Sequence, residues 1–257
     1  MSWSIGGGLE DKGVVVTGAG GGIGRAVAVA FASVGARVCA VDVRQDAVEE
    51  VVASLPDPDR HLALTLDLLD LSSHEGIFRR AQETFGRFDV LAHLAAVLRR
   101  RYEIDDITEE DWDTQHDVNL KATFFVNRSA AKVLREQGRG GRIINLTSQS
   151  WWTGGFGGAV AYAASKGGIV SLSRGLAKSL APYGITVNTV APGFVETPML
   201  VRGVPAEQLE EWKLMVPLGQ RFTTPEEVAA PILFLASDGA SHITSTTLNV
   251  TGGQLTY

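Results

Sequence analysis

Strand-like and helix-like segments alternate along the whole of this chain, and that alternation restricts it more than any single residue does. Short β-branched or apolar runs at 13–17, 37–41, 61–66, 89–96, 142–146, 185–191 and 247–250 are separated by segments of helical spacing. The helical segments fall at 25–34, 45–55, 72–85, 108–137, 159–180, 206–215 and 224–235. Strands that alternate with helices build a doubly wound parallel sheet with helices on both faces. The expected fold is therefore α/β and Rossmann-like, with about seven strands. No repeat, low-complexity segment or linker divides the sequence, so residues 1–257 read as one domain. Residues 1–8 read as a flexible start, and residues 194–216, which lack clear periodicity at first, as a lid over the strand ends.

Composition narrows the function classes. The net charge is −6 with both signs dispersed, which leaves no basic footprint for nucleic acid. Cys39, the single cysteine, sits inside the apolar run Arg37–Val41 and reads as a buried thiol. His61, His74, His93, His116 and His242 show no ligand spacing, so no metal is expected. The first residues lack the basic and apolar regions of a signal peptide, and no stretch is apolar enough to span a bilayer. A cytoplasmic protein is expected.

The first strand ends in Gly18-Ala19-Gly20-Gly21-Gly22-Ile23-Gly24 and runs directly into a helix closed by Gly35. Glycines there let backbone approach a pyrophosphate, and the helix N-terminus supplies N–H donors. The second strand ends at Asp42, whose carboxylate suits adenosine ribose hydroxyls and repels a 2′-phosphate. NAD is favoured over NADP, although Arg44 stands close by. Asp67 and Leu68, at the third strand's carboxyl end, are candidates to meet adenine. Arg99, Arg100 and Arg101 follow the fourth strand as a small basic cluster, read either as a solvated loop or as contacts for an anionic substrate.

A second constellation runs from Thr147 to Lys166. Ser148 closes the fifth strand, a glycine-rich bend follows, and Tyr162 and Lys166 stand four apart on one helix face. An ammonium near a phenol lowers the phenol pKa from about 10, which makes Tyr162 a candidate proton carrier. Ser148 could then hydrogen-bond the substrate oxygen that Tyr162 serves.

Taken together, these residues resemble the classical short-chain dehydrogenases/reductases over roughly Leu9 to Gly253. Thr17-Gly18-x-x-x-Gly22-x-Gly24 matches that family's cofactor turn, Asp42 its NAD-type acid, and Asp67-Leu68 its adenine pair. Asn119, Ser148, Tyr162 and Lys166 match its catalytic tetrad, and Pro192, Gly193, Val195 and Thr197 the segment that holds the nicotinamide carboxamide; Ala95 falls beside the cofactor. The resemblance implies that Tyr162 moves the proton, Ser148 polarises the oxygen, Lys166 lowers the Tyr162 pKa and holds the nicotinamide ribose, and Asn119 holds a relay water. It also implies a homotetramer.

Two departures stand out. His93-Leu94-Ala95-Ala96 replaces the family's Asn-Asn-Ala-Gly, with His93 either hydrogen-bonding neighbouring backbone or simply packing. Ser148 and Tyr162 are fourteen positions apart, one more than usual, which keeps Ser150 as a runner-up. For the substrate pocket the sequence offers Trp151, Trp152, Phe156 and Met199, pointing to an apolar or ring-containing secondary alcohol or ketone. The expected activity is NAD-dependent alcohol–ketone interconversion. The alternatives are an NADPH-dependent ketoreductase of the 3-oxoacyl thioester type, for which no basic residue stands near Gly21 or at Asp42, and a catalytically idle dinucleotide-binding scaffold.

Overall fold

The protein is described as a computed structural model over residues 6–255. Seven strands are placed: β1 Gly13–Thr17, β2 Arg37–Asp42, β3 Leu62–Thr65, β4 Val90–His93, β5 Gly141–Leu146, β6 Ile185–Pro192 and β7 Thr247–Val250. They form one sheet in the order β3-β2-β1-β4-β5-β6-β7, with every pair parallel. Strand order reverses between β1 and β4, where Thr17 is registered with His93. In open α/β sheets the carboxyl ends at such a reversal form the ligand crevice.

Among the described residues ten α-helices accompany them: α1 Gly22–Ser33, α2 Gln45–Ala53, α3 His74–Phe85, α4 Glu109–His116, α5 Ala122–Gln137, α6 Ser150–Thr153, α7 Val160–Leu180, α8 Pro198–Val201, α9 Ala206–Leu214 and α10 Pro225–Ala236. Side chains alternate across the strands, so each sheet face acquires its own core. Val14, Val16, Val38 and Ala40 meet Val27 and Phe31 of α1 and Ile232 of α10 on one face. Val15, Cys39, Val41 and Leu91 meet Phe78 of α3, Val126 and Leu134 of α5 and Leu180 of α7 on the other. Phe31 and Phe78 are fully buried, and truncating either to Ala costs about 3–5 kcal/mol. Cys39 lies in this core as a free thiol, and burial pushes its pKa up.

Several local expectations are revised. The segment 108–137 is not one uniform helix: a π-turn at Asp117–Lys121 separates α4 from α5 and carries Asn119. Ser72 and Glu75 do not form a capping box. The Asp70 carboxylate takes the Ser72 N–H at 3.1 Å and its hydroxyl at 2.6 Å, while Lys132 and Arg79 draw off Glu75. Capping boxes do form at Thr108/Asp111 and Thr224/Glu227. The bend after Ser148 contains the turn α6, and the stretch after Phe194 contains α8. Residues 1–5 of the expected flexible start lie outside the described residues, whereas Gly6–Gly8 form a turn whose Gly7 carbonyl accepts the Asp238 N–H at 3.0 Å. Among the described residues no helix is long and apolar enough to cross a membrane, and no His, Cys, Asp and Glu cluster could hold a metal ion.

Candidate active site

The turn between β1 and α1 lies at the reversal point. Gly18 has φ +69°, and a Cβ there would sit 2.8 Å from the Ala95 backbone. A Cβ on Gly24 would stand 2.0 Å from the Gly18 carbonyl, so the turn closes only with hydrogen at both positions. Gly22 faces the Thr197 methyl, which brings the post-β6 segment onto the turn, and Ile23 packs into the adjoining core. A cradle that any Cβ would fill is what backbone approach to a pyrophosphate demands.

Asp42 ends β2 under this turn. One carboxylate oxygen accepts the Gly20 N–H at 2.9 Å and the other the Arg44 N–H at 3.1 Å. The exposed Arg44 guanidinium donates to the Gly20 carbonyl at 2.7 Å and lies 3.5 Å from Asp42. Asp67 accepts the Leu69 N–H at 2.9 Å, and the buried Leu68 gives its carbonyl to His74 Nε2 at 2.8 Å. Pro192 and Gly193 are fixed by neighbouring backbone: the Gln149 N–H donates to Pro192 and the Gly193 N–H to Val250. Val195 is buried beside them.

Beneath the turn lies a buried polar chain that the sequence reading missed. The Thr17 hydroxyl meets His93 Nδ1 at 2.8 Å, and His93 Nε2 meets the Thr123 hydroxyl at 2.9 Å. Thr123 donates onward to the Asn119 carbonyl at 2.5 Å. Its hydroxyl proton is thereby committed, so His93 carries its hydrogen on Nε2 and Nδ1 accepts from Thr17. Burial pushes the His93 pKa down to about 3, which keeps the ring neutral. His93 therefore bonds two side-chain hydroxyls and not neighbouring backbone, and it is no mere packing residue. Asn127 and Asn145 extend the network by reciprocal 2.9 Å hydrogen bonds, and Asn145 reaches Ser173 at 3.0 Å. Polar residues in the middle of an apolar strand (Asn145) and four apart on a helix (Thr123, Asn127) were the available signal.

Asn119 itself is fully buried and clamps two segments. Its amide accepts from the Val97 N–H at 2.8 Å and donates to the Val97 carbonyl at 3.0 Å and to Ser165 at 3.1 Å. The loop after β4 is thus tied to the residue preceding Lys166. Lys166 Nζ donates to the Leu146 carbonyl, and the Thr147 hydroxyl to the Lys166 carbonyl, both at 2.8 Å, which locks α7 to the end of β5. Burial lowers the Lys166 pKa to about 7.

Tyr162 projects from α7 toward Ser148. Burial pushes its pKa up to about 12, against the opposing pull of the Ser148 hydroxyl and the Arg100 guanidinium. The lowering influences on Tyr162 include Ser148 and Arg100, and the Lys166 ammonium stands 5.6 Å from the Tyr162 ring centroid. Ser150 is buried, and its N–H donates to Ser148 Oγ at 3.3 Å. Ser148 is thus the hydroxyl at Tyr162, and Ser150 supports it.

The tentative pocket residues divide. Trp151 lies against α7 with Arg174 5.8 Å from its ring centroid, twelve residues beyond Tyr162. Trp152 and Met199 are exposed. Phe156 meets Phe194 edge-on at 6.1 Å, and Phe194 stacks on Trp212 at 5.1 Å. Phe194, Leu200, Trp212, Val216 and Phe222 form a small core of their own within and beside the 194–216 segment. Trp212 belongs to this wall, and its position on an otherwise charged short helix gave little warning.

The family profile described as enoyl-(acyl carrier protein) reductase matches residues 18–254. The chain is 38% identical to the NAD-dependent glycerol dehydrogenase of Listeria innocua over 245 residues, 95% of this chain and 94% of that protein. It is also 38% identical to 3-oxoacyl-[acyl-carrier-protein] reductase FabG of Thermotoga maritima over 248 residues, 95% and 98% of the two chains. The crystal structure of 3-ketoacyl-(acyl-carrier-protein) reductase from Brucella melitensis complexed with NADH matches with a TM-score of 0.89 at 29% identity, covering 96% of this chain and 99% of that one. With the profile and these relatives spanning almost the whole chain, the chain belongs to the short-chain dehydrogenase/reductase family, oxidoreductases that interconvert an alcohol and a ketone.

Proposed function

We propose that the protein is an NAD(H)-dependent oxidoreductase of a secondary alcohol and its ketone. The observation that carries the cofactor half of this reading is Asp42, whose carboxylate is held against Gly20 at the rim of the cradle. There it would take the adenosine ribose hydroxyls and oppose a 2′-phosphate. Gly18, Gly22, Ile23 and Gly24 would receive the pyrophosphate, and Asp67 and Leu68 the adenine. Ala95, Pro192, Gly193, Val195 and Thr197 would border the nicotinamide, with Tyr162 and Lys166 at its ribose. The dinucleotide supplies the hydride acceptor or donor when bound.

The protein's own part is proton handling and orientation. A phenol with a pKa near 12 is protonated at neutral pH, the form that donates to a ketone oxygen. In the oxidative direction Tyr162 must first lose that proton, so Ser148 and every nearby positive charge favour the base. Asn119 would position a relay water near Lys166. The family supports a single-domain homotetramer with residues 194–216 as the substrate lid, a reading that sedimentation of the purified protein checks.

A second cofactor reading has its own observation: Arg44 lies across the same rim, bonded to Gly20 and beside Asp42. A 2′-phosphate would find a ready cation there. Parallel fluorescence titrations with NADH and NADPH decide between them. Preference for NADH, weakened by Asp42→Ala, is the expected result; preference for NADPH, lost in Arg44→Ala, would replace it. Binding of neither would remove the dinucleotide reading altogether.

A further inference from the structure

The three consecutive arginines after β4 have different fates. Arg101 forms a paired contact with the buried Asp111 carboxylate at 2.8 and 3.1 Å, and Arg99 reaches Glu110 at 3.0 Å and Asp111 at 3.4 Å. Both hold the loop onto the N-terminal turn of α4. Arg100 points the other way. Its guanidinium lies over the Trp212 ring at 5.3 Å and gives one hydrogen bond, 3.3 Å, to the Leu200 carbonyl. No carboxylate pairs with it among the described residues, and its Nε is buried without a partner.

A half-buried guanidinium with an unused donor and no counter-charge is an unfinished interaction, because burying a charge is costly until it is paired. The loop that carries it is tied to the bend leading into α7, where the Arg101 N–H donates to the Gly158 carbonyl at 3.0 Å, four residues before Tyr162, and the Arg100 charge bears on the Tyr162 proton. The surrounding wall of Trp212, Phe194 and Phe156 is apolar, which strengthens any ion pair formed against it. A planar fork of donors suits a carboxylate, which can take two parallel N–H bonds.

Resting on the oxidoreductase reading above, we propose that Arg100 anchors a carboxylate on the substrate, so that the enzyme acts on a hydroxy acid and its oxo acid whose carboxylate lies within a few bonds of the carbinol carbon. The lid segment takes part directly. Leu200 fixes one edge of the guanidinium and Trp212 supports its face, so the segment holds the cation in place. An acyl thioester would place a neutral carbonyl there and leave the charge uncompensated. Arg100 is a binding residue in this proposal, and Tyr162 remains the proton carrier.

The test compares matched pairs differing only in the anion: 3-hydroxybutyrate with 3-hydroxybutyramide, lactate with lactamide, and gluconate with sorbitol, each with NAD+ and with NADP+, followed at 340 nm. For at least one pair the acid is expected to be favoured in kcat/KM by about 10- to 100-fold, the range of a charge-assisted hydrogen bond. Arg100→Gln should collapse that acid-to-neutral ratio toward one, mainly through KM, and Arg100→Lys should restore part of it. Should Arg100→Gln fail to fold, the wild-type ratio and Arg100→Lys still decide. A wild-type preference for the neutral members, or a ratio that Arg100→Gln leaves intact, overturns the proposal while the oxidoreductase reading stands. No turnover of any member, with Tyr162→Phe indistinguishable from wild type, overturns that reading and the proposal with it.

Discussion

Replacing Lys166 by Met isolates the energetic consequence of burying an ammonium beneath the active site. Lys166 is 1% exposed, and its Nζ has the Leu146 carbonyl at 2.8 Å. Burial lowers its pKa from 10.5 to about 7. In the unfolded chain the ammonium keeps its proton up to about pH 10.4. Between pH 7 and pH 10 the unfolded state therefore binds more protons than the folded state, and stability rises with pH across that window. With a depressed folded pKa, the contribution is complete above about pH 10.5, is lost as pH falls, and changes no further below about 7. At about 1.36 kcal/mol per unit, the full swing has a ceiling of about 5 kcal/mol. Lys166→Met keeps the apolar stem and deprives Leu146 of its donor, which costs about 1–3 kcal/mol at every pH. The variant should thus be the more stable protein at pH 7 and the less stable one at pH 10. Urea unfolding of both proteins at pH 7, 8, 9 and 10, without added dinucleotide, measures the crossing. A difference constant to within about 0.5 kcal/mol over that range would mean that Lys166 keeps an ordinary pKa in the fold, and would refute the reasoning.

His93→Ala should destabilise by about 2–4 kcal/mol, since it opens a cavity and strands Thr17 and Thr123; urea unfolding measures this, and a weaker NADH titration should accompany it because Thr17 supports the cradle. NMR of the wild-type ring should show the Nε2–H tautomer with no titration between pH 5 and 8, given a pKa of about 3. Tyr162→Phe should reduce turnover by about 10²–10⁴-fold, and the wild-type oxidation rate should climb with pH toward the Tyr162 pKa of about 12; a flat alkaline profile would count against Tyr162 as the base. Gly24→Ala places a methyl 2.0 Å from the Gly18 carbonyl, so NADH binding should be lost in the fluorescence titration.

The sheet was legible because its signals are local. β-Branched runs such as Val14–Val16 pack on both faces, and the glycines that follow admit only a tight turn. The grouping of the candidate residues was legible for a related reason: Tyr162 and Lys166 lie one helical turn apart, and Ser148 follows the strand whose last carbonyl Lys166 grips. What escaped depended on partners distant in sequence. His93 finds Thr17 and Thr123, 76 and 30 positions away. The π-turn at Asn119 is an insertion into helical spacing that no residue type announces. Ser72 lost its expected helix-capping role to an acceptor two residues earlier, Asp70, and Glu75 lost its own to cations on α3 and α5. The contact of Trp151 with Arg174 on α7, 23 positions away, is of the same kind.

The two halves of the site are built on different principles, and that difference bears on how the enzyme can be specific. The glycine cradle and the candidate proton-handling residues are joined by one hydrogen-bonded series. Thr17, His93, Thr123 and the Asn119 carbonyl run in a closed series from β1 through β4 to the π-turn, and Asn119 then grips Val97 and Ser165. Thr17, His93, Thr123, Asn119 and Ser165 are all buried and paired, so moving one breaks a hydrogen bond in a place where water cannot replace it. Arg100 lies outside that series. It stands on the loop beyond Val97, fastened by its neighbours Arg99 and Arg101 to α4, and touches the 194–216 segment through Leu200 and Trp212. Under the carboxylate-anchor proposal, a substitution there would change what the site recognises without disturbing the hydrogen bonds that hold Lys166 and Asn119. In the carboxylate-anchor proposal Arg100 thus acts on recognition through its contacts with Leu200 and Trp212, while its charge also bears on the Tyr162 proton.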